Sequence, residues 1–326
     1  MPGLSFPQGV VRAMDAIFVS LMNGIVYGLL LFMVSAGLTL IFGMMGVLNF
    51  AHASFYMLGA YFAFALQPIL GFWTAIVVSP LMVAAVGVLV ERYFLRRVHQ
   101  HGHAHELLLT FGLSFIIAEL VKLFFGNYPV NYRIPKSLDF AAFTLGGSDY
   151  PVYRILMAAI AIAMFVAIYL LLTRTRVGIV VRSAIYRPHM AEALGHNVPL
   201  VFMGVFGVGA GLAGLAGAIA GAFYTTNPNM ALELGVMVFV VVVVGGLGSL
   251  AGAMLASLLI GVITSLAISV DASLADLFAL WGARDWAEGV GGLLTLKVSS
   301  LSATIPFALM LLILLLRPNG LMGEKA

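Results

Sequence analysis

Apolar runs recur from one end of this chain to the other, near residues 16–41, 52–70, 72–90, 107–126, 153–173, 199–224, 232–247, 249–270 and 303–317. A helix needs about 20 such residues to cross the roughly 30 Å hydrocarbon core of a bilayer. No water pairs with the backbone at that depth, so only helices and closed β-barrels can span it. A barrel needs short strands that alternate apolar and polar residues. Runs such as VMVFVVVVVGGLG (236–248) are the opposite. The expected fold is therefore all-α, a polytopic transmembrane helical bundle of eight or nine spans with one or two broken helices, formed as a single domain over 1–326. Charged residues make up 9% of the chain, against about 25% in soluble domains, and the mean hydropathy of +1.10 agrees. Arg12 precedes a run that is too long for a signal-peptide core and has no small-x-small cleavage site after it, so the first span is expected to stay. With no cysteine, disulfide and thiolate chemistry are excluded.

Positive residues in the loops orient such a bundle, because lysine and arginine are retained on the cytoplasmic side. Arg92, Arg96 and Arg97 lie in one loop; Arg174, Arg176, Arg182 and Arg187 lie in a second; Arg317 and Lys325 lie in the tail. The intervening spans place all three segments on one side, which predicts a cytoplasmic C-terminus. The high pI follows from these retained charges and gives no reason to expect nucleic acid. The opposite loops, about 127–152 and 271–302, are richer in acid and carry Tyr128, Tyr132, Tyr150, Trp281 and Trp286. Aromatic side chains at that depth are expected to mark the membrane interface. Gly207, Gly211, Gly214, Gly217 and Gly221 follow one another at three- or four-residue steps, the spacing of close helix packing.

One segment breaks the apolar rule. In IFGMMGVLNFAHASFYMLGAY (41–61), Gly43 and Gly46 loosen the backbone, and Asn49, His52 and Ser54 then bring three polar side chains within six positions. Unpaired polar groups in hydrocarbon cost several kcal/mol each. They persist where helices hydrogen-bond to one another or where a wet path runs past them. The segment VVGGLGSLAGAMLASLLIG echoes this pattern of glycines followed by an Ala/Ser-rich helix, as paired broken helices do in transporters built from repeated halves. Glu119 and Lys122, three apart in the fourth span, are expected to form a structural pair.

No reactive constellation marks an enzyme: G-x-x-x-x-G-K-[ST], H-E-x-x-H and G-x-S-x-G are all missing. His99, His101, His103 and His105 alternate in a basic loop. On a helix they point apart, so a solvated connector is expected rather than a metal site. In SAIYRPHMAEALGHNVP, Pro188 and Gly195 bracket a short helix, following the preference for proline at the first position and glycine past the last. Met190, Ala193 and Leu194 would form its apolar side. Such a helix either rests on lipid or inserts into a cytoplasmic partner.

The segments GLTLIFGMMGVLNFAHASFYMLGAY, TRTRVGIVVR, EALGHNVPLVFMGVFGVGAGLAGLAGAIAG, VVVVVGGLGSLAGA and RPNGLMG, in that order from about residue 16 to 323, resemble the branched-chain amino acid ABC transporter permeases of the LivH type. Ala53 stands where that family usually has glycine, His196 where an aliphatic residue is common, and IYRPHM replaces an acidic, alanine-rich run. The resemblance implies a multi-pass permease of the bacterial inner membrane for branched-chain or related small amino acids. Its implied partners are a second, related permease, two cytoplasmic ATPase subunits and a periplasmic substrate-binding protein. No catalytic residue, metal or cofactor is implied. The 183–197 loop, with Arg187, Pro188, His189, Met190, Ala191, Glu192, Ala193, Leu194 and Gly195, resembles the family's ATPase-coupling helix. A stand-alone secondary transporter or channel for a small polar solute is the alternative, weakened by the few carboxylates within the spans that could couple protons.

Overall fold

The structure is a computed structural model that describes residues 8–145, 148–270, 272–278 and 282–323; Trp281 and Lys325 lie outside them. The chain begins with α1 (Gln8–Met45), α2 (His52–Leu70) and α3 (Phe72–Val90). A π-helical turn over Glu91–Leu95 then leads into α4 (Arg96–Val98) and a 3₁₀ turn, followed by α5 (His103–Phe125). A hairpin of β1 (Ala141–Leu145) and β2 (Ser148–Pro151) precedes α6 (Val152–Arg174), α7 (Arg176–Tyr186) and α8 (Pro188–Ala193). Next come α9 (Val198–Phe223), α10 (Met230–Gly245), α11 (Leu250–Ser269), α12 (Leu274–Phe278), α13 (Arg284–Val290) and α14 (Ile305–Leu316).

Among the described residues, seven helices are long and apolar enough to cross a membrane, and α10 and α14 are shorter apolar helices. Together they account for the nine runs in the sequence. α10, with 16 residues, is only about 24 Å long, whereas α1, with 38, is about 57 Å. The 41–61 segment is a turn between two helices, not a broken helix within one span. α1 runs through Gly43 to Met45, and the chain reverses over 46–51.

α1, α2, α3, α9 and α11 form the centre of the bundle. Backbone-to-backbone approach holds them together, as the glycine spacing predicts. A Cβ on Gly217 of α9 would overlap the Tyr56 carbonyl of α2, and one on Gly28 of α1 would come within 2.7 Å of the Ser257 carbonyl of α11. α5, α6 and α14 cover this centre while leaving apolar side chains such as Leu108, Leu123, Phe124 and Leu315 facing outward. Outward apolar residues are what a lipid-facing surface requires.

The three basic segments gather at one end of the bundle. Arg96 Nη2 donates to the Pro199 carbonyl at the start of α9 (3.0 Å), and the tail residues Leu321 and Met322 donate to Val244 and Gly245 at the end of α10 (2.8 and 3.0 Å). The β-hairpin strands and residues 272–278 and 282–304 occupy the other end, where Tyr150 Oη donates to the Met22 carbonyl (3.5 Å). Two of the expected interface aromatics are instead buried here. Tyr132 and Tyr150 are 5% and 4% exposed, and Tyr132 Oη donates to the Ala218 carbonyl (2.7 Å). They pack the hairpin and loop onto the helices, while Tyr128 and Trp286 are the exposed ones.

Candidate functional site

Gly46 ends α1. Its φ of +67° lies in the left-handed region that favours glycine, and its N–H still donates to the Phe42 carbonyl (2.8 Å). Asn49 then closes the turn with its own side chain, Oδ1 accepting from the Ala51 N–H (3.0 Å). α2 starts at His52 with no side chain capping it. Gly43 sits apart from this turn: it packs on Gly248, whose Cα would lie 2.9 Å from a Cβ added at Gly43.

Phe50 ties the turn to two other helices. Its N–H donates to Thr110 Oγ1 of α5 (3.2 Å). Its ring meets Phe111 edge-on at 6.3 Å and stacks on Phe239 of α10 at 6.2 Å. Between these helices lies a pocket of about 260 Å³, lined by Asn49, Phe50, His52, Ala53 and Ser54 from the turn. Phe111, Ser114, Phe115 and Ala118 line it from α5, and Ala231, Gly235, Val236 and Phe239 from α10. The α5 residues are the middle of that helix, so the pocket lies at mid-height in the bundle. Of the predicted pathway residues, the structure brings Asn49, His52 and Ser54 to the pocket. Gly43 and Gly46 shape the chain nearby but do not line it.

The polar atoms in this corner are incompletely paired. Asn49 is 3% exposed and His52 1%. His52 Nε2 lies 2.9 Å from the Val34 carbonyl of α1, and Gly37 makes room for the ring, since a Cβ there would come within 2.8 Å of Cε1. Asn49 Nδ2 and His52 Nδ1 have no partner among the described residues. Most buried polar atoms in proteins are paired; besides these two, Thr39 Oγ1, Tyr61 Oη and Thr264 Oγ1 also lack a partner among the described residues, but those three residues do not line the pocket. The signals missed in the sequence were aromatic. Phe50 lies inside the 41–61 segment as one more apolar residue, and Phe111 and Phe115 stand four apart on α5.

The histidine run departs from expectation. Gly102, at φ +93°, breaks the helix between His101 and His103. His99 Nδ1 and His103 Nδ1 (3.2 Å) both contact the buried carboxylate of Glu106. This cluster ties the 91–101 linker to the first turn of α5. Among the described residues no group of three or more His, Asp or Glu side chains could hold a metal ion. Glu119 and Lys122 do form the expected pair, at 2.7 Å.

At the basic end, α8 is the short helix that Pro188 and Gly195 predicted, with Pro188 in its first turn and Gly195 at φ +87°. Ala191, buried at 1%, packs with Ala184 and Val198 and fixes α8 to α7 and α9. Met190 and Leu194 remain 58% and 76% exposed. Arg187, His189, Glu192 and Ala193 are also on the surface or partly so. The sequence pattern placed Met190, Ala193 and Leu194 together as the apolar side but missed that Ala191 is the anchor.

The family described as "Branched-chain amino acid transport system / permease component" matches residues 20–314. Relatives include the high-affinity branched-chain amino acid transport system permease protein BraD of Pseudomonas aeruginosa, 26% identical over 93% of this chain and 95% of that one. The corresponding LivH protein of Escherichia coli is 28% identical over 93% and 94%. A solved structure, PsaBC from Streptococcus pneumoniae in complex with Fab, aligns over 92% of this chain and 90% of its own at 13% identity and a TM-score of 0.37. A match over nearly the whole length, across the span helices and both glycine breaks, makes this chain a member of the branched-chain amino acid transport system permease family.

Proposed function

We propose that the chain is the membrane-spanning permease of an ATP-driven importer for branched-chain or related small amino acids, working by alternating access in a bacterial inner membrane. The observation that carries this is the mid-height pocket beside the α1–α2 turn, where buried polar atoms lack partners against an otherwise apolar wall. Such a wall suits an aliphatic side chain and the polar corner suits the rest of an amino acid. The chain holds no phosphate-binding loop, so nucleotide is hydrolysed by other subunits, two ATPases docked at the basic end with the C-terminus. The 183–197 loop supplies their contact: Ala191 anchors α8 rigidly, and exposed Met190 and Leu194 offer an apolar surface for a partner to grip. A second, related permease completes the membrane unit. A periplasmic binding protein delivers substrate to the end carrying the β-hairpin.

Affinity purification of the tagged chain from its native membrane tests this. ATPase subunits and a second permease are expected to copurify and to support ATP-dependent leucine uptake after reconstitution. Met190→Asp or Leu194→Asp should release the ATPases while the chain remains in the membrane. Recovery of the chain alone, fully active without ATP, would refute the proposal.

A further inference from the structure

We propose that Asn49 and His52, at the start of α2, form a head-group site that reads a zwitterionic α-amino acid, Asn49 taking the carboxylate and His52 the ammonium. This rests on the amino-acid permease reading above and adds to it the residues and the chemistry of recognition.

The protonation of His52 follows from its partner. A carbonyl oxygen only accepts, so the nitrogen 2.9 Å from the Val34 carbonyl is the one carrying hydrogen. In a neutral imidazole the other nitrogen, Nδ1, is then a bare acceptor, and it is unpartnered among the described residues. Asn49 is the complement. Its Oδ1 is taken by the Ala51 N–H, so what remains is Nδ2, an unpartnered donor. Three residues apart, two residues that line the same pocket therefore hold one buried orphan donor and one buried orphan acceptor.

The helix sharpens the assignment. α2 is 19 residues long and has no side chain capping its N-terminus, and that end of a helix carries a partial positive charge. The donor and the positive helix end favour an anion, and the bare imidazole nitrogen favours an N–H. An α-amino acid carries both groups on one carbon. Phe111, Phe115, Val236 and Phe239 across the pocket then receive an apolar side chain. Neutral partners suit a transit site, because a solute in transit must bind well enough to enter and weakly enough to leave.

The test uses the complex isolated with its copurifying subunits, in nanodiscs, with ¹⁵N-labelled histidine. His52 is expected to show a hydrogen on Nε2 and none on Nδ1, and titration with leucine should shift the Nδ1 resonance. Leucinamide, which lacks the carboxylate, and 4-methylpentanoate, which lacks the ammonium, should each need about tenfold more to produce the same shift, the effect of losing about 1.4 kcal/mol. Asn49→Ala should shrink the leucine–leucinamide gap below about threefold and leave the gap to 4-methylpentanoate in place. A hydrogen on Nδ1, or equal responses to all three compounds, would overturn the site, and neither readout depends on a variant folding. A complex that imports leucine while His52 ignores it sinks the head-group site alone. A complex that imports neither leucine nor any related small amino acid sinks the permease reading as well.

Discussion

The chain turns back on itself twice at glycine-rich breaks, between α1 and α2 and between α10 and α11, and the two breaks touch through Gly43 and Gly248. Their sequences echo one another, yet their interiors differ. At the second break the C-terminal tail folds over the turn and pairs with α10, and Ser249 caps α11 by accepting from the Gly252 N–H (3.1 Å). Gly252 lies so close to Gly245 that a Cβ would overlap its carbonyl. At the first break no side chain caps α2, and Asn49 and His52 each keep an unpartnered atom beside a pocket. The second break is a closed joint. The first is the same device left chemically open.

Substitutions can break this contrast. The largest effect is expected from Gly252→Ala, which forces a methyl group into backbone and should cost about 3 kcal/mol, read as loss of folded protein in detergent. At the first break Gly46→Ala meets nothing closer than His103 Cε1 at 3.9 Å. Only its left-handed backbone is strained, for about 1–2 kcal/mol in thermal unfolding. Ser249→Ala removes a helix cap and should cost about 1 kcal/mol. Asn49→Ala should change stability least. It loses a bond worth about 1 kcal/mol but relieves an orphan donor that costs about 1–3 kcal/mol, so a change near zero is expected while leucine transport falls about tenfold. A large loss of stability in Asn49→Ala would mean that the first break is as closed as the second.

Much of this was legible from residues alone. Apolar run length revealed the nine helices, because hydrocarbon leaves few other choices. The bracketing of α8 by Pro188 and Gly195 was legible because both residues have narrow backbone preferences. Asn49, His52 and Ser54 stood out because polar groups are rare in such surroundings. What escaped depends on which helices meet. Phe111, Phe115 and Phe239 carry no signal until α5 and α10 flank the same turn. Glu106 was not read together with the histidines, so the pairing of His99 and His103 on its carboxylate across the break at Gly102 escaped. Tyr132 and Tyr150 were assigned to the interface from depth alone, but packing draws their rings inward and offers carbonyls to their hydroxyls.

The most direct measurement is leucine uptake into proteoliposomes holding either the purified chain alone or the chain with the ATPases, binding protein and second permease proposed for it. Accumulation against a gradient is expected only in the complex and only with ATP inside the compartment facing the ATPases. Accumulation by the chain alone would contradict a gate that has no motor of its own.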